Sequence, residues 1–446
     1  MLDLDDPFSV LRARVASLRA CRPTGRLTAI DAQCLTVEGL SSHLSLGDEI
    51  VIPGETPIRA EVLHLDERHL KAVPFATSRT LRLGQAVEAA GPATIAPHPG
   101  WIGRVVDPLG RPLDGRPLPQ GTPRPLTAPP PSAAHRRGMG ARLHTGHAVL
   151  DTMLPIVRGQ RVGLFAGSGV GKSTLLGALA SGMESDVCVL ALVGERGREV
   201  GNFVRDVLGP HGMARTVVIA ATSDMPAPLR RRCALAAMAV AESMRDAGRQ
   251  VLFLCDSVTR LAEAHREMAS GWGEGGAIRG HPASLTPLLA SLCERAGPGE
   301  SAGQGDITAV FSVLVAGSDM EEPVADILRG QLDGHIVLSR DIAEAGRFPA
   351  VDVLRSVSRS LPAAADAPQN ALIAEARRLL GVEDDAALMV SSGLYEKGAS
   401  AEIDRAVMIV PKLEDLFGET STASIPAAFT KLAAILGRPD PALMAR

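Results

Sequence analysis

Paired cysteines, an excess of one charge sign and long apolar runs are all missing from this sequence. Each absence argues against a class of function. The six cysteines, Cys21, Cys34, Cys188, Cys233, Cys255 and Cys293, stand at no paired spacing. That disfavours a disulfide framework and a zinc cluster, and it fits reduced thiols in a cytoplasmic chain. The 46 basic and 50 acidic residues leave a net charge of −4, so no global field draws in nucleic acid or an anionic membrane. No apolar run approaches the ~20 residues that cross a bilayer, and the opening MLDLDDPF is acidic where a signal peptide is basic. Between Gly25 and Ala90 the only aromatic is Phe75, too few to stack successive bases of a single strand.

What is present suffices for large cores: 446 residues, 46% of them apolar, point to two or three domains. Over residues 1–22, Phe8, Leu11, Val15 and Leu18 recur at helical spacing between Arg12, Arg14 and Arg19. This predicts an amphipathic helix, packed either on its own domain or against a partner or membrane surface. Over 23–92, short apolar runs alternate with turn clusters, the pattern of a small β-barrel. Residues 93–135 are dense in Pro and Gly and read as an extended connector. From 136 to 362, apolar strands such as RVGLFA, VCVLALV, TVVIAA, VLFLC and HIVLS alternate with helical stretches. They predict an α/β core with a mostly parallel, doubly wound sheet. Residues 363–446 read as helical, with one face at Leu372, Ile373, Ala376, Leu379 and Leu380 and another at Phe429, Leu432 and Leu436, closed by Gly437.

The stretch AGSGVGKST follows a strand and opens a helix, the setting a phosphate-binding loop requires. Backbone N–H groups of Ser168, Gly169, Val170, Gly171 and Lys172 are then placed to curl around a β-phosphate at a helix N-terminus. Gly167, Gly169 and Gly171 permit close approach and positive φ. Lys172 faces the β- and γ-oxygens, and Ser173, followed by Thr174, supplies a hydroxyl to Mg²⁺. Ala166 stands where the usual pattern has its first glycine. Asp256, ending the strand VLFLCD, is the candidate carboxylate for the metal. Glu195, delivered by VCVLALVGE to the same carboxyl edge, is the candidate base that orients water.

Together FAGSGVGKST, GERGRE, CDSVTR, DGHIVLSR and GRFPAVDVLRSVSR resemble the catalytic subunits of the rotary ATP synthase superfamily. Within it they look most like the flagellar protein-export ATPases of type III secretion. The resemblance runs from about Gly25 to Phe417. It implies a RecA-like core between a β-barrel and a helical domain, with ATP and Mg²⁺ as ligands, in a ring of six whose sites lie between subunits. It also implies that Arg359 reaches a neighbour's γ-phosphate, that Phe348 stacks on the adenine, and that Arg196 acts with Glu195. The partners it implies are regulator and stalk proteins, export substrates with their chaperones, and the membrane export gate at the flagellar base, but no nucleic acid. A virulence-type secretion ATPase, a rotary synthase subunit, an RNA-translocating hexamer and a non-hydrolysing regulatory subunit are the alternatives. Two features stand outside the pattern. His281 and Ala283 occupy a channel-loop position where relatives have an aromatic and a proline, and Arg230, Arg231 and Arg232 form a basic run that reads as a solvated helix face or a partner contact.

Overall fold

The computed structural model describes residues 22–31, 34–76, 80–278, 280–315 and 320–441, without the side chains of 272, 277 and 278. The helix expected over residues 1–22 falls outside the described residues, apart from Arg22. Two compact units are present: one runs up to Ala93 and includes Met268–Glu274, and the other comprises Thr94–Glu267 and the chain from Gly275 onward.

The first unit is built on a closed barrel of six strands, β1 (Thr24–Ile30), β2 (Leu35–Glu38), β3 (Asp48–Ile52), β4 (Ile58–Leu65), β5 (His69–Pro74) and β6 (Ala86–Pro92), in the order β1-β2-β5-β4-β3-β6. Alternate residues of β1 and β2 point inward, so that Leu27, Leu35 and Val37 join Ile50, Val62 and Leu70 in one core. Closure leaves no unpaired strand edge.

The second unit is organised by β7 (Val105–Val106), β8 (Arg161–Ala166), β9 (Val187–Glu195), β10 (Thr216–Thr222), β11 (Val251–Asp256), β12 (Asp306–Leu314), β13 (Gly334–Leu338) and β14 (Val351–Ser358). Their order across the sheet is β14-β13-β8-β12-β11-β9-β10-β7, parallel throughout except for β14, which runs antiparallel to β13. All of β11 and all but the last residue of β9 are buried, as expected for strands covered on both faces. Each apolar side chain removed from water contributes about 1.5–3 kcal/mol.

The stretch expected to be an extended connector belongs instead to this second unit. Its Val105–Val106 pair forms the outermost parallel strand, Val105 opposite Val218, and Trp101 is fully buried. The reason lies in the prolines. Each removes an N–H but keeps a carbonyl that must still be satisfied, and side-chain donors fill that need. Trp101 Nε1 donates to the Pro119 carbonyl at 2.6 Å, and Arg104 to those of Pro117 and Arg116 at 2.9 and 2.7 Å.

The same chemistry accounts for the basic run on α3, where α1 is Lys172–Gly182, α2 Gly197–Asn202 and α3 Ala227–Asp246. The run is not a solvated face. Arg232 is buried and donates to the carbonyls of Pro108 and Thr94 at 2.9 and 2.8 Å, and Arg230 pairs with Glu267. Arg232→Met, which keeps the stem but strips these donors, is expected to destabilise the second unit by about 2–3 kcal/mol. Urea unfolding followed by tryptophan fluorescence measures it, because Trp101 lies in the affected segment.

Beyond α4 (Val258–Trp272) and α5 (Leu285–Arg295), the stretch after Pro362 carries α6 (Ala367–Ser391), α7 (Ala401–Phe417) and α8 (Ile425–Leu436). Asp366, Ser400 and Ser424 cap their N-termini, and Gly437 at φ 66° closes α8. The middle helix α7 lies within the span expected to be helical but between its two named apolar faces. Pro411 interrupts its pattern, and an internal proline ordinarily reads as a helix end, yet Ile409, Val410, Leu413, Leu416 and Phe417 are all buried.

Candidate active site

The phosphate-binding loop connects β8 to α1. Gly169 and Gly171 have φ of 80° and 87°, a region where a side chain would strain the backbone. Gly167 does not share it: a Cβ there would meet only the Val315 carbonyl oxygen at 3.9 Å. Of the loop side chains, Val170 is buried in the core, while Ser168, Ser173 and Thr174 are exposed. Val170 therefore anchors the loop and offers a ligand only its backbone.

Lys172 Nζ is bonded to Asp256 Oδ1. Asp256 is itself buried, and Ser312 on the neighbouring strand β12 donates to the same oxygen at 2.8 Å. Sequence reasoning missed Ser312. Its signal was a hydroxyl in mid-strand within the apolar run AVFSVLV.

Glu195 ends β9, where the pairing with β10 slips by one residue at Gly194, whose φ is 69°. Such a bulge re-aims the residue that follows it. Glu195 lines a cavity of about 220 Å³ together with Ser173, Glu199, Asn202, Phe203 and Asp256. Burial first, then the Asp256 charge and a hydrogen bond with Glu199, push its carboxyl up to about 7, against the pull of Lys172. Glu199 is a second residue that sequence reading passed over, although GERGRE contains it. It is also the carboxylate that Arg196 reaches in this structure. Arg196, whose side chain is largely exposed, pairs with Glu199 at 3.6 Å, one helical turn along α2.

Phe348 and Arg359 lie at opposite edges of the sheet. Because β14 is antiparallel, Val351 pairs with Leu338 at the carboxyl edge and Ser358 with Gly334 at the amino edge. Ala166, just before the loop, pairs with that same Leu338. Phe348 is consequently beside the loop: a Cβ on Gly171 would stand 3.2 Å from its ring. It is half exposed and lines a second cavity, of about 730 Å³, with Arg347, Pro411, Glu414 and Gly418. Along β13 the step from Leu338 to Gly334 is four residues, roughly 13 Å of rise, and Arg359 follows Ser358 at that far edge. There its Nη2 donates to the Arg329 carbonyl at 3.3 Å. His281 is buried on a short hairpin, and burial lowers its pKa, while Ala283 is exposed.

Residues 146–358 match the model of the ATP synthase alpha/beta family, nucleotide-binding domain. Residues 365–433 match that of the T3SS EscN ATPase C-terminal domain. A flagellum-specific ATP synthase of Caulobacter vibrioides is 39% identical over 440 residues, covering 96% of this chain and 99% of that one. The chain belongs to the flagellar protein-export ATPase family. Another flagellum-specific ATP synthase, from Salmonella typhimurium, is 40% identical with 90% and 91% covered. The assembled ATPase EscN of enteropathogenic E. coli superposes with a TM-score of 0.84 at 33% identity, over 92% of this chain and 100% of that one.

Membership in this family gives the raised carboxyl a consequence. If Glu195 acts as base it must be ionised, so kcat/KM is expected to fall about tenfold per pH unit below a midpoint near 7, not near the ordinary 4.5. Stability moves the opposite way. Between 4.5 and 7 the folded chain keeps a proton that the unfolded chain has lost, so this group's contribution to folding weakens as pH rises through that window. A pH–rate profile at subsaturating ATP measures the first effect.

Proposed function

We propose that this chain hydrolyses ATP in a homohexameric ring whose sites lie between subunits, and that flagellar type III protein export uses that hydrolysis. The observation that carries this reading is the division of the motif residues between two sheet edges. The loop, Lys172, Asp256 and Glu195 are assembled in one chain, whereas Arg359 sits at the far edge of the sheet from its own loop. An arginine so placed serves a second copy of the chain better than its own.

The Ser173 hydroxyl and the Asp256 carboxylate line one cavity beside Lys172, and two hard oxygens fit an ion that takes its other ligands from phosphate and water. These two residues would hold Mg²⁺, which supplies charge neutralisation across the β- and γ-phosphates. The loop amides position the triphosphate, Lys172 leaves Asp256 to meet it, and Glu195 takes a proton from the attacking water at its carboxylate oxygen. Phe348 stacks on the base, and Arg196 joins Arg359 of the partner subunit at the γ-phosphate.

Family likeness supports a reading of the partners and location. An EscN structure contains its central stalk EscO; by analogy a stalk protein, regulators, substrates and chaperones engage this ring on the cytoplasmic side of the export gate. No helix among the described residues is long and apolar enough to cross a membrane, so attachment there would be peripheral. The injectisome reading has its own support, a Salmonella typhimurium SPI-2 type 3 secretion system ATPase 41% identical over 81% of this chain. Co-purification from the native cells separates the two. Flagellar export components accompanying a Mg²⁺-dependent ATPase are expected, and injectisome components in their place would reassign the system.

A further inference from the structure

The cavity beside Phe348 carries a polar group that stacking alone leaves unused. Arg347 lines it with a side chain only 14% exposed. Its Nη2 donates to the Val351 carbonyl at 3.2 Å, and its Nε stands 3.9 Å from Glu414 Oε1. Its Nη1 is buried with no hydrogen-bond partner among the described residues. Burial also lowers the pKa of this guanidinium, as expected where water is largely withdrawn from it. A charged donor left in that condition is costly, and native folds rarely keep one without use. Glu414, half exposed on α7, lines the same cavity and offers a carboxylate acceptor.

A donor and an acceptor side by side match one class of base edge. An aminopurine presents an exocyclic N–H₂ donor flanked by ring-nitrogen acceptors. We propose that Arg347 determines base specificity, its guanidinium donating to a ring nitrogen of the purine stacked on Phe348 while the Glu414 carboxylate accepts from the exocyclic amine. The inference rests on the nucleotide reading of the site and extends it from stacking, which every base permits, to recognition of the edge. A uracil ring would turn a carbonyl toward the Glu414 carboxylate and be rejected.

Calorimetric titration of the wild-type chain with Mg²⁺ and a set of ligands tests this without altering the fold. Ribose 5′-triphosphate reports the loop alone, ATP the loop and base pocket, and 1-, 3- and 7-deaza-ATP each replace one ring acceptor by C–H. Either 1-deaza- or 7-deaza-ATP, whose missing nitrogen flanks the amine, is expected to bind about tenfold more weakly than ATP, the effect of losing a bond from a charged donor, while 3-deaza-ATP, whose nitrogen lies across the ring, binds as ATP does. All three binding as ATP does would overturn the assignment. Arg347→Met supplies the second arm: ATP weakens about tenfold with kcat little changed, while ribose 5′-triphosphate binds as before. Equal weakening of both ligands would instead mark Arg347 as a support for the Val351 strand and overturn its role as a reader. Failure of the wild-type chain to bind either ATP or ribose 5′-triphosphate would remove the nucleotide site itself and the inference with it.

Discussion

Glu195→Gln is expected to lower kcat by 10²- to 10⁴-fold, about the contribution of one positioned base, while ATP affinity stays within a factor of two. The amide keeps the size and hydrogen-bonding reach of the carboxylate but cannot accept the water proton. Affinity is spared because the loop amides and Lys172 carry the triphosphate. Removing a negative charge near Asp256 would, if anything, ease the approach of an anion. Single-turnover hydrolysis with parallel binding titrations makes the measurement. Full activity in Glu195→Gln, with loss in Glu199→Gln, would shift the base one helical turn along α2. Full activity in both would sink the carboxylate mechanism.

Arg359→Ala is expected to cost about 10³-fold in turnover, the lower range for an arginine that stabilises a transferring phosphoryl group. Each subunit should still bind ATP normally, because Arg359 lies at the sheet edge remote from its own loop. Turnover per wild-type subunit should rise with protein concentration as rings assemble, and the variant should lose that rise. Mixing gives the sharper result. Lys172→Ala lacks the loop lysine and Arg359→Ala lacks the cation, so each is inactive alone. In a mixed ring roughly a quarter of interfaces join an intact loop to an intact arginine, as head-to-tail contacts require. Recovery of activity on mixing supports a shared site. No recovery, with mixed rings verified by mass, would confine Arg359 to its own subunit.

How much of this was legible before the structure depends on how local each signal is. The loop, Asp256 and Glu195 each end an apolar strand, and strand ends at one edge of a parallel sheet converge whatever the crossovers contain. Ser312 and Glu199 were hidden for the opposite reason. A hydroxyl in mid-strand or a glutamate in a helical turn acquires meaning only from the neighbour placed against it, Asp256 in one case and Glu195 in the other. The Pro-rich segment misled because composition reports missing donors but not the Trp101, Arg104 and Arg232 side chains that satisfy its carbonyls.

The kind of chemistry is written locally in the chain. Glycines at the two positions of positive φ, a lysine and serine opening the helix, and acids at strand ends are properties of short segments, set by backbone sterics and apolar periodicity. Which side each residue serves is set by long-range strand pairing. The reversal of β14 puts Phe348 and Arg359, eleven residues apart in GRFPAVDVLRSVSR, at opposite edges of one sheet. No local pattern encodes a strand's direction, because side chains alternate identically in parallel and antiparallel strands and only hydrogen bonding to β13 selects between them.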